Sequence, residues 1–380
     1  PSFLPSSSGG RMRNRFCLRS IAVMWRPALL LMLALPLLAS AADADDRQAA
    51  IDRLMQPYDG DVPGASLLVL KDGRALVRRG YGRADLERGI AAGTDTNYRL
   101  ASVSKQFTAA AILLLAQDGA LSIDDPVKRW LPSLPAVADA ISLRQLLAHT
   151  SGVLDYEDLM GASWQGQIRD AGVLALLERE NRLYFPPGTT YRYSNSGYAL
   201  LALVVERASG MDFPAFLHAR IFAPLGMRDS LAYVAGGRDV PHRAWGYSQA
   251  TQGWERTDQN IYSAVLGDGG IYSSIDDLAR WDAAWYDGRL FDDATRALAL
   301  GRQVPVDTAP EATWYGFGWR IAEGRQWHNG ESIGFRNTLV RWPQQHITVV
   351  LLSNRNDPTP YATAQAIGAL FLDEIPAARP

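Results

Sequence analysis

The spacing of apolar positions along this 380-residue chain changes from one region to the next, and each change marks a different kind of element. Two short apolar-rich runs, Ser66 to Leu70 and Arg74 to Arg79, flank the turn Lys71-Asp72-Gly73 and predict a β-hairpin. From Ser102 to about Arg296 helical spacing takes over. Gln106 to Gln117, Ser142 to Leu147, Ala171 to Glu180 and Tyr198 to Ala208 read as helices. Loops containing Pro132, Pro135, Pro186-Pro187-Gly188 and Gly267-Asp268-Gly269-Gly270 separate them. Strand-like runs then return at Trp314 to Ile321, Arg325 to His328, Asn337 to Trp342 and His346 to Ser353, with a closing helix from about Tyr361 to Leu372. Strands at both ends of a helical middle predict an α/β (α+β) fold. One antiparallel sheet is built from both termini and flanked by helices, with a mainly helical lobe inserted and the active centre at the lobe boundary. No internal repeat or long linker suggests independent modules.

The first residues follow a different rule. Arg11, Arg13, Arg15, Arg19 and Arg26 precede or open the apolar stretch Ala28 to Leu38, which ends in Ala39-Ser40-Ala41. A basic region, a short apolar region and an A-x-A site predict a secretory signal peptide over residues 1–41, cleaved after Ala41, ahead of a single domain over 42–380. The apolar run is short for a spanning helix, so contact with a membrane is expected only if that leader is left uncleaved. The chain starts at Pro1, and Met12 and Met24 are alternative natural starts.

Charge narrows the partners. The formal net charge is -2, and without residues 1–41 the balance is 33 basic against 40 acidic residues. No basic stripe remains for a nucleic acid, so a small-molecule substrate is expected, with no nucleic-acid partner. Cys17, the only cysteine, falls in the leader, leaving the mature domain without disulfide, thiolate nucleophile or cysteine metal site. His218, His242 and His346 lack metal-ligand spacing and no H-E-x-x-H occurs, so no metal or other cofactor is expected.

Ser102-Val103-Ser104-Lys105 carries the chemistry. It places a hydroxyl and an amine three residues apart at the start of a helical run, on one face of the first turn. Unpaired backbone N–H groups and the positive end of the helix dipole there favour a developing alkoxide. Only Lys71, Lys105 and Lys128 are lysines, against 35 arginines. Because arginine cannot give up its proton and a desolvated lysine can, a lysine at this position points to proton transfer. An N-capping serine before an exposed lysine would give the same spacing. Two further motifs follow in order: Tyr193-Ser194-Asn195, the only Y-x-N of the chain, and His328-Asn329-Gly330 near the C-terminus.

With these three motifs the chain resembles the serine β-lactamase-like hydrolases, a family of class C β-lactamases, D-alanyl-D-alanine carboxypeptidases, D-aminopeptidases and related esterases. Leu146-Leu147-Ala148-His149-Thr150-Ser151-Gly152 and Gly269-Gly270-Ile271-Tyr272-Ser273-Ser274 also look like family segments. The resemblance implies that Ser102 forms an acyl-enzyme, that Lys105 or Tyr193 takes its proton, and that Tyr193 returns it to the leaving group. It places Asn195, His328, Asn329, Gly330 and Glu331 in substrate binding. Asn195 would donate toward the acyl carbonyl and accept from Lys105, and the Ser102 and Glu331 amides would form the oxyanion hole. The third motif departs from the K-T-G of β-lactamases. A histidine there is mostly uncharged near neutral pH, and Glu331 adds a negative charge unless Arg336 or Arg325 offsets it. Simple esters or D-amino-acid peptides and amides are therefore expected over β-lactams; a true β-lactamase or DD-carboxypeptidase, and a non-catalytic envelope or sensor module, are the alternatives. His328 is expected to bond the Tyr193 hydroxyl or a substrate carboxylate.

Other features compete for attention. Gly330-Glu331-Ser332-Ile333-Gly334 matches the G-x-S-x-G elbow, but an elbow needs a helix after it and an acid before a later histidine, and neither is seen. His149 reads as a buried residue stabilising a helix-to-loop corner. Trp314, Tyr315, Phe317 and Trp319 fit either a pocket lining or a core, and Gly269-Gly270 either a cleft rim or a turn.

Overall fold

The computed structural model describes residues 45–161 and 163–372. The proposed leader lies outside them, as does Cys17. The predicted hairpin is present as β1 (Ala65–Lys71) and β2 (Arg74–Tyr81). The C-terminal third supplies β3 (Val304–Asp307), β4 (Thr313–Tyr315), β5 (Arg320–Ala322), β6 (Arg325–Ser332), β7 (Phe335–Trp342) and β8 (Ile347–Ser353). They form one antiparallel sheet in the order β3-β4-β5-β6-β7-β8-β1-β2. Strands from the two ends of the described residues meet at its centre, where β1 pairs with β8 from Ala65↔Ser353 to Lys71↔Ile347.

Strand-like sequence from Trp314 to Ile321 is in fact two strands with a turn between them. Gly318, at φ +77°, bends the chain there and leaves Phe317 and Trp319 in the core. Central strands are buried along nearly their whole length because both faces are covered, so they do not alternate. On one face Leu67, Val69, Val349 and Leu351 pack with Ile51, Met55 and the closing helix's Ile367 and Phe371. On the other, Leu68, Leu339, Val350 and Leu352 join the large core of the helical lobe.

The middle section gives α1 (Lys105–Gln117), α2 (Leu143–Leu147), α3 (Tyr156–Leu159), α4 (Asp170–Leu177), α5 (Asn195–Ser209), α6 (Leu266–Gly269), α7 (Ile275–Ala284) and, after the sheet, α8 (Tyr361–Leu372). Local chemistry sets their starts. Ser142 caps α2 in a reciprocal box with Gln145, and Ser194 and Ser274 accept the Gly197 and Asp277 amides that open α5 and α7. Helix α1 is the exception to amphipathic patterning, since every residue from Lys105 to Leu115 is buried. It runs through the core, and its polar residues Lys105, Gln106 and Thr108 therefore need internal partners. No helix among the described residues is long and apolar enough to cross a membrane.

Candidate active site

Ser102 does not lie in the α-helix but in the 3₁₀ turn Ala101–Ser104 that leads into α1. This refines the expectation of a first α-helical turn. In a 3₁₀ turn side chains three residues apart eclipse, so the S-x-x-K spacing stacks the two functional groups directly. Ala101 stands at φ +49°, a left-handed conformation that costs an L-residue on the order of 1–2 kcal/mol. The surroundings hold it: the Leu100 amide donates to the Ile271 carbonyl at 2.8 Å, and Asn337 Nδ2 donates to the Arg99 carbonyl at 2.8 Å.

Two glycines let the sheet close on this turn. A Cβ on Gly330 would lie 2.1 Å from the Leu100 carbonyl oxygen and 3.3 Å from the Ser102 nitrogen. One on Gly318 would lie 2.8 Å from the Lys105 carbonyl oxygen. Strand β6 thus passes beside Ser102 only because the H-x-G motif ends in glycine. Ser332↔Phe335 closes the β6–β7 hairpin over two residues, and such flanking pairs exchange hydrogen bonds while the next pair does not. The Glu331 amide therefore points away from β7, the direction an oxyanion donor on this edge requires. The same hairpin disposes of the G-x-S-x-G elbow, because no helix follows Ser332.

Lys105 Nζ touches three oxygens: Ser102 Oγ at 3.1 Å, Asn195 Oδ1 at 2.8 Å and the Asp268 carbonyl at 2.8 Å. An amide oxygen and a backbone carbonyl can only accept, so they take two N–H groups in either protonation state. The third contact is to a hydroxyl, which donates as well as accepts. An ammonium can therefore donate to Ser102, and a neutral amine can receive the Ser102 proton, without any other partner moving. Asn195 is oriented by its other end, since Nδ2 donates to Glu157 Oε1 at 3.0 Å and its backbone amide donates to Asp155 at 3.0 Å. One amide hydrogen of Asn195 is thus committed to Glu157.

Tyr193 packs between these groups. Its ring centre is 4.9 Å from Lys105 Nζ and 4.4 Å from the His149 ring. Among the described residues its hydroxyl has no hydrogen-bond partner. His149, buried at φ +59°, accepts the Ser194 amide on Nδ1 at 3.1 Å, which pins the Tyr193-Ser194-Asn195 segment at the start of α5. Burial, with Lys105 and His328 nearby, pushes its proton affinity well down, consistent with the expected structural corner.

The structure corrects the expectation for His328. Its Nδ1 donates to the Asn329 carbonyl at 2.6 Å and its Nε2 accepts from Tyr315, not Tyr193, at 2.9 Å. Both ring nitrogens are occupied. Burial, helped by Lys105, lowers its pKa to about 3, so it is a neutral, structural histidine. Asn329 turns its side chain to Thr338 Oγ1 at 2.8 Å. Glu331 is offset by Arg336 at 3.7 Å and bonded by Tyr361 at 2.5 Å, as the sequence allowed for Arg336; Arg325 is engaged with Glu311 instead.

Ser102 opens onto a cleft of about 490 Å³ lined by Tyr193, Asn195, His328, Asn329 and Glu331. All eight sequence-predicted residues thus come together, with Lys105 beneath Ser102 and Gly330 as the backbone contact. Motif spacing gave no sign of Glu157, Asp307 and Arg320, which also line the cleft. Arg320 comes from β5, opposite Tyr315 and Trp327 in the ladder, and makes no ion pair among the described residues. Of the aromatic cluster, Phe317 and Trp319 in the turn between β4 and β5 are fully buried and Tyr315 on β4 is spent on His328, whereas Trp314 is half-buried with Arg302 over its ring. Gly269 lines a smaller recess of about 100 Å³ beside Ser102, and Gly270 packs against Leu266. No metal-binding group of His, Cys, Asp or Glu occurs among the described residues.

The chain is similar to known proteins over most of its length. The Beta-lactamase family model matches residues 48–373. Penicillin-binding protein 4* of Bacillus subtilis is 31% identical over 79% of this chain and 70% of its own length. The D-aminopeptidase of Gluconobacter oxydans is 30% identical over 85% of this chain, which spans 61% of that protein. The D-amino acid amidase of Ochrobactrum anthropi superposes with a TM-score of 0.73 at 25% identity, covering 86% of this chain and 98% of the amidase. The chain belongs to the β-lactamase family, the serine β-lactamase-like hydrolases that its motifs resemble.

Proposed function

We propose that this protein is an exported serine hydrolase that works through an acyl-enzyme on Ser102, with small esters or D-amino-acid-containing peptides and amides as substrates. The observation that carries the reading is the Ser102–Lys105 contact at 3.1 Å, with the two other Lys105 partners restricted to acceptance. As the Ser102 oxygen bonds to the acyl carbon, its proton passes to the neutral Lys105 amine. The tetrahedral oxyanion is held by the Ser102 and Glu331 amides. When the bond to the leaving group breaks, Tyr193, in contact with Lys105, relays a proton to the departing oxygen or nitrogen. A water then repeats the sequence on the acyl-serine, returning the proton to Ser102.

The relatives named as a D-aminopeptidase and a D-amino acid amidase support D-amino-acid amides. A neutral His328 removes the cation at the third motif. Arg320 restores one elsewhere on the cleft wall, so a leaving group bearing a carboxylate is accommodated, and D-peptides join the esters and amides. The leader pattern of residues 1–41 supports export.

The test is a fluorophosphonate or β-lactam probe followed by peptide mapping, with turnover measured on p-nitrophenyl acetate, D-alanine p-nitroanilide and nitrocefin. Label on Ser102 and faster ester or D-amide turnover than nitrocefin turnover are expected. An unlabelled Ser102, or a Ser102→Ala variant that keeps turning over substrate, would overturn the reading. Loss of amide but not ester turnover in Tyr193→Phe would place Tyr193 at the leaving group. An N-terminus near Ala42 in protein from the envelope fraction tests export.

A further inference from the structure

A buried carboxylate stands directly behind Lys105 and takes no part in the steps above. Asp268 belongs to the short turn α6, whose backbone carbonyl accepts from Lys105 Nζ. Its side chain is only 6% exposed and accepts from the Tyr156 hydroxyl at 2.8 Å. The turn is held from three sides. Asp170 on α4 accepts the Leu266 and Gly267 amides at 2.9 and 3.0 Å. Thr108 on α1 donates to the Gly267 carbonyl at 2.7 Å. Gly267 lies so close to α5 that a Cβ would meet the Tyr198 carbonyl oxygen at 2.2 Å. The backbone that carries Asp268 is therefore fixed beside Lys105.

The charge balance around it is also particular. No carboxylate lies within ion-pair distance of the fully buried Lys105 among the described residues, so Asp155, Glu157 and Asp268 act on it only through space, with Tyr193, Tyr198, His149 and His328 also facing it. The groups facing Asp268 are Lys105 on α1, Arg99 just before it, Asp170 on α4, and Tyr156 on α3 with Asp155 and Glu157 beside it. Lys105 and Arg99 favour its anion, Asp170 opposes it, and Tyr156 donates to it. Burial is the largest influence and pushes Asp268 up to about 7.

We propose that Asp268 is a positioning residue for Lys105: its carboxylate, set by Tyr156 and Asp170, governs how firmly the Lys105 amine holds its proton. The inference rests on the proposed role of Lys105 as base. An anion behind the amine favours ammonium, so losing that anion lets Lys105 deprotonate at lower pH.

The experiment is the pH profile of kcat/KM for an activated ester, measured on full-length protein. Asp268→Asn should move the acid limb down, by up to about one unit where Asp268 is ionised in the parent, equal to at most a tenfold gain at a fixed pH on that limb relative to its own plateau. Tyr156→Phe, which loses only a hydroxyl, should move it the same way by less, because Asp268 then ionises later. A merely structural role would lower the melting temperature or plateau rate without this downward shift. An unmoved limb in folded Asp268→Asn overturns the inference, and should that variant fail to fold, an unmoved limb in Tyr156→Phe does so. An active Ser102→Ala variant would instead sink the proposed function itself.

Discussion

Two buried basic side chains in this protein are handled in opposite ways. Arg341 on β7, 1% exposed, donates to the Asp282 carboxylate of α7 at 2.8 Å, and Thr348 donates to the same oxygen at 2.9 Å. The guanidinium also lies 4.5 Å from the Tyr286 ring centre and 5.5 Å from that of Trp319. Lys105, equally buried, touches only neutral oxygens. A cation locked to a carboxylate resists losing its proton and ties two elements together. One held by neutral dipoles stays in place in either protonation state, which is what a group exchanging a proton with Ser102 needs. Desolvation is tolerated at both sites, for stability in one and for chemistry in the other.

Lys105→Met probes the chemical half of that comparison. It fills a similar volume but removes the amine, and turnover should fall roughly 10²–10⁴-fold, as for loss of a general base. Ser102 labelling by a reactive probe should slow in parallel while circular dichroism stays native. Turnover within a few fold of the parent would show that proton transfer from Ser102 does not pass through Lys105.

Asp282→Ala probes the other half. Stranding Arg341 without its carboxylate should cost about 3–5 kcal/mol in urea unfolding. The kcat of the folded fraction, measured at low temperature, should stay near the parent value. If the variant instead lost turnover while keeping its stability, the contrast between a structural and a chemical cation would be wrong.

Gly330→Ala asks how tightly the sheet must press on the nucleophile turn. A methyl group at 2.1 Å from the Leu100 carbonyl forces β6 away from Ser102, and with it the Glu331 amide. Losing one oxyanion donor costs roughly 10²–10³-fold in kcat. KM should change far less than kcat, because the cleft side chains remain. A KM effect alone would place the Glu331 amide outside the oxyanion site.

What was legible in the sequence follows from where each part is encoded. The S-x-x-K, Y-x-N and H-x-G residues could be read because local spacing fixes which neighbours share a side, as the 3₁₀ turn at Ser102 does. The two-ended sheet could be read because its strands are apolar runs bounded by turns. Arg320, Glu157 and Asp268 could not be read in the same way. Arg320 reaches the cleft through the β4–β5–β6 register, Glu157 through its bond to Asn195, and Asp268 through a turn clamped by Asp170, and none of those pairings has a local sequence mark. The single run from Trp314 to Ile321 hid two strands for a related reason: Gly316 and Gly318 mark the turn, but the flanking aromatics look strand-like whether they face a cleft or a core.

The partner of His328 was likewise set by long-range packing, and it yields the smallest effect. Because burial lowers the folded-state pKa to about 3, this ring stays neutral in the native protein while the unfolded chain takes up a proton below about pH 6.5. Its contribution is therefore complete above that pH and is lost as pH falls toward 3. His328→Gln keeps an acceptor for Tyr315 and cannot titrate. Every other ionisation is shared by the two proteins and cancels in their difference. The stability advantage of the parent over the variant should thus narrow on acidification, by about 2 kcal/mol between pH 7.5 and pH 5. Urea unfolding at both pH values measures this. A gap that stays constant or widens would mean that folded His328 carries a proton, returning a cation to the third motif and weakening the contrast between neutral and paired buried groups.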